Sequence, residues 1–183
     1  MLAFWILLGL VVLVLLYGVV EFNRLVALRN RCDNGWSQID VQLRRRYDLI
    51  PNLVETVKGY AAHEKDLFEN VAEMRSRAMG ARSVDDQAKA ENMITAGLRQ
   101  LMAVAENYPD LKANQNFLAL QEELTATESK IAYARQFYND QVMRLNTKIQ
   151  SFPSSVIAGM FNFAPRAFFN IDDPARGPVQ VEL

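Results

Sequence analysis

The sequence predicts an all-α protein: an N-terminal transmembrane helix followed by an elongated antiparallel helical bundle of three to four long helices, four preferred. Three observations carry that prediction. Residues Leu2 to Val20 contain no charged side chain. Beyond them, apolar residues recur every three or four positions and then every seven, the spacing of helices packed side by side. Helix-end signals at Gly59, Gly80, Pro109 and Pro153 divide the remainder into long segments of comparable length.

The first segment is the anchor, residues 1–20. As a helix, Leu2 to Val20 is roughly 28 Å long, close to the hydrocarbon thickness of a bilayer. It lacks the basic start and the small-x-small site of a cleaved signal peptide, and Cys32 follows Arg29-Asn30-Arg31 rather than a lipoprotein box. The expected partner of residues 2–20 is therefore membrane lipid. Arg24, Arg29 and Arg31 follow the span and no basic side chain precedes it. The positive-inside rule then places the C-terminal domain of this single-pass protein in the cytoplasm.

Residues 21–35 form a stalk that continues the anchor helix, with Asn34-Gly35 as a point where it is expected to bend. A helical-bundle domain spans 36–152. Trp36, Leu43, Ile50 and Val57 share one heptad position; Ile39, Arg46, Leu53 and Tyr60 share the next. Pro51 lies within this stretch and predicts a kink, because it supplies no amide hydrogen. A break at Gly59 gives four helices; an unbroken rod gives three. Helices are then expected over about 62–79 and 84–107, the second opened by a capping box of Ser83 and Asp86. Its apolar stripe is Ile94, Leu98, Leu101, Ala105 and Tyr108, and Glu91 is read as a surface residue. One last long helix is expected from Pro109 to Gln150, with Phe117, Leu124, Ile131, Tyr138, Leu145 and Phe152 at strict seven-residue spacing. A C-terminal tail, 153–183, follows.

Composition narrows the functional classes. Net charge is −1, which points to no nucleic-acid partner. The chain has one cysteine and one histidine, so neither an internal disulfide nor a di-histidine metal site is available. His63-Glu64 is not continued as His-Glu-x-x-His. On one straight helix Cys32 and His63 lie about 46 Å apart, too far for a nucleophile pair. No catalytic, cofactor or metal residue is assigned. Glu128 and Arg135 occupy a helix seam, where charges need partners. They are read with Asp40, Arg46 and Asp48 as a structural polar layer that fixes bundle register, with Glu55 a further candidate. The alternative is an enzyme or small-ligand sensor built on the Glu128/Arg135 layer.

From Trp36 onward the chain is similar to the LemA family of bacterial membrane proteins. The residues carrying the resemblance are Trp36-Ser-Gln-Ile-Asp40, Leu43 to Tyr60, His63-Glu64, Ala105 to Leu124, Glu128 to Asn139, and Phe152-Pro153. The resemblance covers residues 1 to about 165. It implies a single-pass membrane protein with a helical-bundle domain and no established reaction. The expected function is a membrane-anchored scaffold or assembly protein, a homo-oligomer without enzymatic activity.

The tail adds Phe161, Phe163, Phe168 and Phe169, with Arg166 the only charge between Val156 and Ile171. These rings are expected to be buried on the chain's own bundle, on the bilayer surface or on a neighbouring subunit. The bundle seams are already filled, and one arginine attracts acidic lipid weakly. Self-association through these four residues is therefore the expectation, with Val179 to Leu183, which alternate like a strand, adding edge pairing.

Overall fold

The computed structural model describes residues 1–171. Its elements are α1 (Leu2–Lys58), α2 (Lys65–Met79), α3 (Val84–Glu106), α4 (Pro109–Lys112), α5 (Gln115–Gln150) and α6 (Ser154–Met160). The described residues hold helices and connecting turns, and no strand. Val179 to Leu183 lie outside the described residues. Two compact units are present, and α1 and α5 contribute to both.

The first unit comprises Met1–Gln38 and Ala134–Ala167. Anchor and stalk are one uninterrupted helix. Its apolar part from Leu2 is long and apolar enough to cross a membrane, and no residue of that window is buried inside the protein. The bend expected at Asn34-Gly35 is corrected. Gly35 is helical and buried because α5 approaches it closely: a Cβ there would lie 3.2 Å from the Tyr138 Cα and 3.3 Å from the Phe137 ring. Leu25, Cys32, Tyr138, Val142 and Leu145 are buried, and the Trp36 ring lies 5.5 Å from the Tyr138 ring.

The second unit comprises Ile39–Tyr133 and the residues from Phe168. Here α1 stops at Lys58, at the glycine break, and α2, α3, α4 and the first part of α5 complete the unit. Leu43, Ile50, Leu53 and Val57 of α1 are buried, as are Ile94, Leu98 and Leu101 of α3 and Phe117, Leu124 and Ile131 of α5. The α1 heptads read from the sequence therefore mark the core as far as Val57, whereas Tyr60, past the end of α1, is exposed.

Pro51 lies inside α1 and leaves the Tyr47 carbonyl without its helical donor. Arg75 of α2 supplies one, its Nε donating at 2.7 Å. The hairpin of α2 and α3 packs at Gly97, where a Cβ would lie 2.9 Å from the Met74 sulfur. Ser83 caps α3, its Oγ accepting from the Asp86 amide at 3.1 Å. The single helix expected from Pro109 is instead two. Asn114 interrupts it, its Oδ1 accepting from the amides of Asn116 and Phe117 and starting α5 afresh. Phe152 is also corrected: α5 ends at Gln150, and Phe152 leaves the stripe for solvent.

Candidate functional site

The second unit encloses a cluster of ionisable groups. Arg46 occupies a seam position of α1 between Ile39 and Leu53 and is 1% exposed. On α3, Gln87, Glu91 and Thr95 are spaced four apart and share one face. Glu91 is 0% exposed. Arg46 Nη1 donates to Glu91 Oε2 at 3.1 Å; Nη2 donates to Thr95 Oγ1 at 2.9 Å and lies 3.0 Å from Glu128 Oε1 of α5. The Tyr47 hydroxyl donates to Glu91 Oε1. Gln87 Nε2 donates to the same oxygen at 3.0 Å and to the Tyr47 hydroxyl at 2.7 Å. One guanidinium thus holds α1, α3 and α5 together, and both Glu91 oxygens are bound.

Burial sets the electrostatics. Removal from water raises the Glu91 carboxyl above its ordinary value, although Arg46, Tyr47 and Gln87 all pull it down. The Tyr47 phenol is pushed up by the same burial and by the Glu91 charge beside it. Beside the cluster lies an open groove of about 450 Å³, lined by Arg46, Thr95, Arg99, Glu106, Gln121 and Glu128 among others.

Of the polar layer expected from the sequence, Arg46 and Glu128 meet. Asp40 does not join them: it pairs with Arg44 at 3.0 Å in an exposed bridge along α1. Asp48 is exposed, and Glu55 makes an exposed contact with Lys58 at 3.9 Å. Arg135 is half-buried and belongs to the first unit. The reading of Glu91 as a surface residue is overturned. Its stripe extends back from Ile94 through Glu91 to Gln87, so the helical period itself carried the signal. Tyr47 was missed because it directly follows Arg46 rather than falling on either heptad seam.

A second buried carboxylate, Glu21, sits in the first unit just past the apolar span. Arg24 Nη1 donates to Oε1 at 3.0 Å, and the Lys148 ammonium lies 2.7 Å from Oε2. Lys148 and then Arg24 hold this carboxyl below its ordinary value against the opposing effect of burial. Cys32 is buried and its thiol is raised by desolvation, the reverse of an activated nucleophile.

The tail is pinned to the chain itself. Asn146 and Arg166 exchange two hydrogen bonds of 2.9 Å, Arg166 Nη1 lies 2.6 Å from Asp33, and the Tyr138 hydroxyl donates to the Ala167 carbonyl at 3.0 Å. Phe161 and Phe163 lie 4.6 and 5.9 Å from the Phe22 ring, and Arg29 sits 5.4 Å over Phe163. Phe169 is fully buried, while Phe168 keeps part of its ring exposed. The premise that the seams are already filled is thereby corrected: Phe22 and Arg29, which continue the Trp36 to Val57 heptad position back into the stalk, receive Phe161 and Phe163.

The family model described as LemA family matches residues 35–183. Protein LemA of Metamycoplasma hominis is 25% identical over 156 residues, covering 84% of this chain and 71% of that protein. Magnetosome protein MamQ 2 of Paramagnetospirillum magneticum is 23% identical, covering 82% of this chain and 65% of that protein. Magnetosome protein MamQ of Magnetospirillum gryphiswaldense is 21% identical, with 83% and 65% covered. The chain thus spans slightly less than two thirds of the length of these MamQ relatives.

Proposed function

The chain belongs to the LemA family, and from that premise we propose that it is a membrane-anchored, non-enzymatic helical scaffold that self-associates at the membrane. The observation that carries this reading is the sealing of its densest ionic cluster. Arg46 and Glu91 are closed off from solvent and committed to internal bonds, which suits holding helices in register better than turning over a substrate. Apolar surface remains outside. Tyr133 on α5, in the second unit, is exposed, and an uncovered aromatic ring of this kind suits a protein contact.

The full chain, sized in mild detergent, should be an oligomer, and Tyr133→Glu should shrink it without loss of helicity. A wild-type monomer contradicts the scaffold reading. Anchoring is proposed in the bacterial plasma membrane with the bundle cytoplasmic. A membrane-impermeant thiol probe on intact cells should then leave Arg82→Cys unlabelled; labelling reverses the orientation.

A second reading, a small-ligand sensor, draws on the groove beside Arg46 and Glu128. It requires a ligand-dependent rise in melting temperature that Glu128→Gln abolishes while the oligomer persists.

A further inference from the structure

The region of α6 presents an apolar face that the rest of the chain leaves open. Phe152, Val156 and Met160 recur every four residues and are 84%, 52% and 70% exposed; Phe161 beside them is 54% exposed. The opposite face, Ser154 and Ala158, is buried against the protein. Ser154 Oγ donates to the carbonyls of Lys148 and Ser151 at 2.7 and 2.8 Å, which fixes the start of α6 to the end of α5. Between Ser151 and Pro165 the chain carries no Asp, Glu, Lys, Arg or His.

The position of this face identifies what covers it. Ile157 Cδ1 lies 3.6 Å from where a Cβ of Gly18 would stand, and Gly18 is in the last turn of the apolar span. Phe22, four residues further along α1, receives Phe161. Within this unit α6 is therefore level with the end of the membrane-crossing stretch. Arg24 and Arg29 lie beyond it along α1.

We propose that Phe152, α6 and Phe161 lie in the interface of the bilayer the anchor crosses, with Phe152, Val156 and Met160 inserted among the upper acyl chains. The occupant of the face is lipid, not a second copy of the chain. An interfacial helix ordinarily needs basic residues to be drawn to the surface. This one needs none, because the anchor delivers it, and an uncharged segment enters without desolvating a charge. Stalk and tail together then fix how the domain stands on the membrane.

The inference rests on the anchor reading, and the experiment separates the two. Single cysteines at Phe152→Cys, Val156→Cys, Met160→Cys, Leu10→Cys and Arg82→Cys carry a nitroxide in the full chain, reconstituted in phosphatidylcholine vesicles. Collisions with oxygen, which partitions into lipid, are compared with collisions with a water-soluble nickel chelate. The oxygen-to-nickel ratio at positions 152, 156 and 160 should exceed that at 82 several-fold and approach that at 10. A nickel-accessible label on α6 with an oxygen-rich Leu10→Cys overturns the inference and leaves the anchor standing. Labels on α6 shielded from both reagents assign the face to a second copy and also overturn it. A nickel-accessible Leu10→Cys overturns the anchor itself. All three α6-region sites are exposed, so labelling leaves the packed face of Ser154 and Ala158 intact.

Discussion

Glu21 and Glu91 both expose almost no surface, but Glu91 lies deep among protein atoms and Glu21 just beneath the surface, and their carboxyls shift in opposite directions. Glu21 faces two cations, and both Lys148 and Arg24 keep part of their side chains in water. Arg24 keeps most of its hydration and Lys148 a part of it, and their attraction outweighs the carboxylate's own desolvation. Glu91 faces one cation, Arg46, which is itself buried and shared with Glu128. There, desolvation wins. A buried ion pair is therefore not one kind of interaction: the balance turns on how deep the acid lies, how many cations face it and how wet they remain.

The largest effect should come from removing Arg46. Arg46→Met leaves Glu91 buried without its cation, a loss of about 3–5 kcal/mol. Measured as a denaturation midpoint on the detergent-solubilised chain, a change below about 1 kcal/mol would equate this cluster with an exposed pair. Arg75→Met comes next. It orphans the Tyr47 carbonyl beside Pro51 and should lower stability by about 1–3 kcal/mol. An unchanged midpoint would mean that water replaces the guanidinium there.

Two pH experiments sharpen the contrast. Glu21 ionises more readily folded than unfolded, so its contribution is present above its ordinary value of 4.5 and fades as pH falls through the lower folded value. Glu21→Gln should therefore cost about 1 kcal/mol at pH 7 and nothing in strong acid. Glu91 has the opposite sign. Its raised carboxyl makes the wild type lose stability as pH climbs from 4.5 through the higher folded value. Relative to the wild type, Glu91→Gln should therefore gain as pH rises across that window. Parallel difference curves for the two variants would erase the distinction. The smallest effect is expected at Glu128, whose carboxylate is substantially exposed: Glu128→Ala should cost about 0–1 kcal/mol.

Much of the architecture was legible because helix packing writes itself as a period. Leu43, Ile50 and Val57, and Phe117, Leu124 and Ile131, announce the core by their spacing alone. The meeting of Arg46 with Glu128 was legible for the same reason, since both stand on seams. Glu91 was hidden by chemistry rather than by position: a carboxylate on an otherwise apolar stripe reads as its edge until a buried arginine opposite explains it. Gly35 and Asn114 misled because each residue type has two uses. Glycine permits a bend or a close approach, and the Tyr138 backbone decides for the latter. Asparagine inside a helical pattern is tolerated or caps a new helix, and the amides of Asn116 and Phe117 decide for capping. The cover found for Phe161 and Phe163 depends on a reversal of the chain after Gln150, a long-range contact that no local pattern encodes.

The contrast between the two glutamates is tested most directly by titrating them. With the full chain labelled at glutamate Cδ and solubilised in detergent, carbon-13 shifts can be followed against pH and assigned by their loss in Glu21→Gln and Glu91→Gln. The account predicts that Glu21 titrates below 4.5 and Glu91 above it. Coincident midpoints, or Glu91 titrating below Glu21, would contradict it.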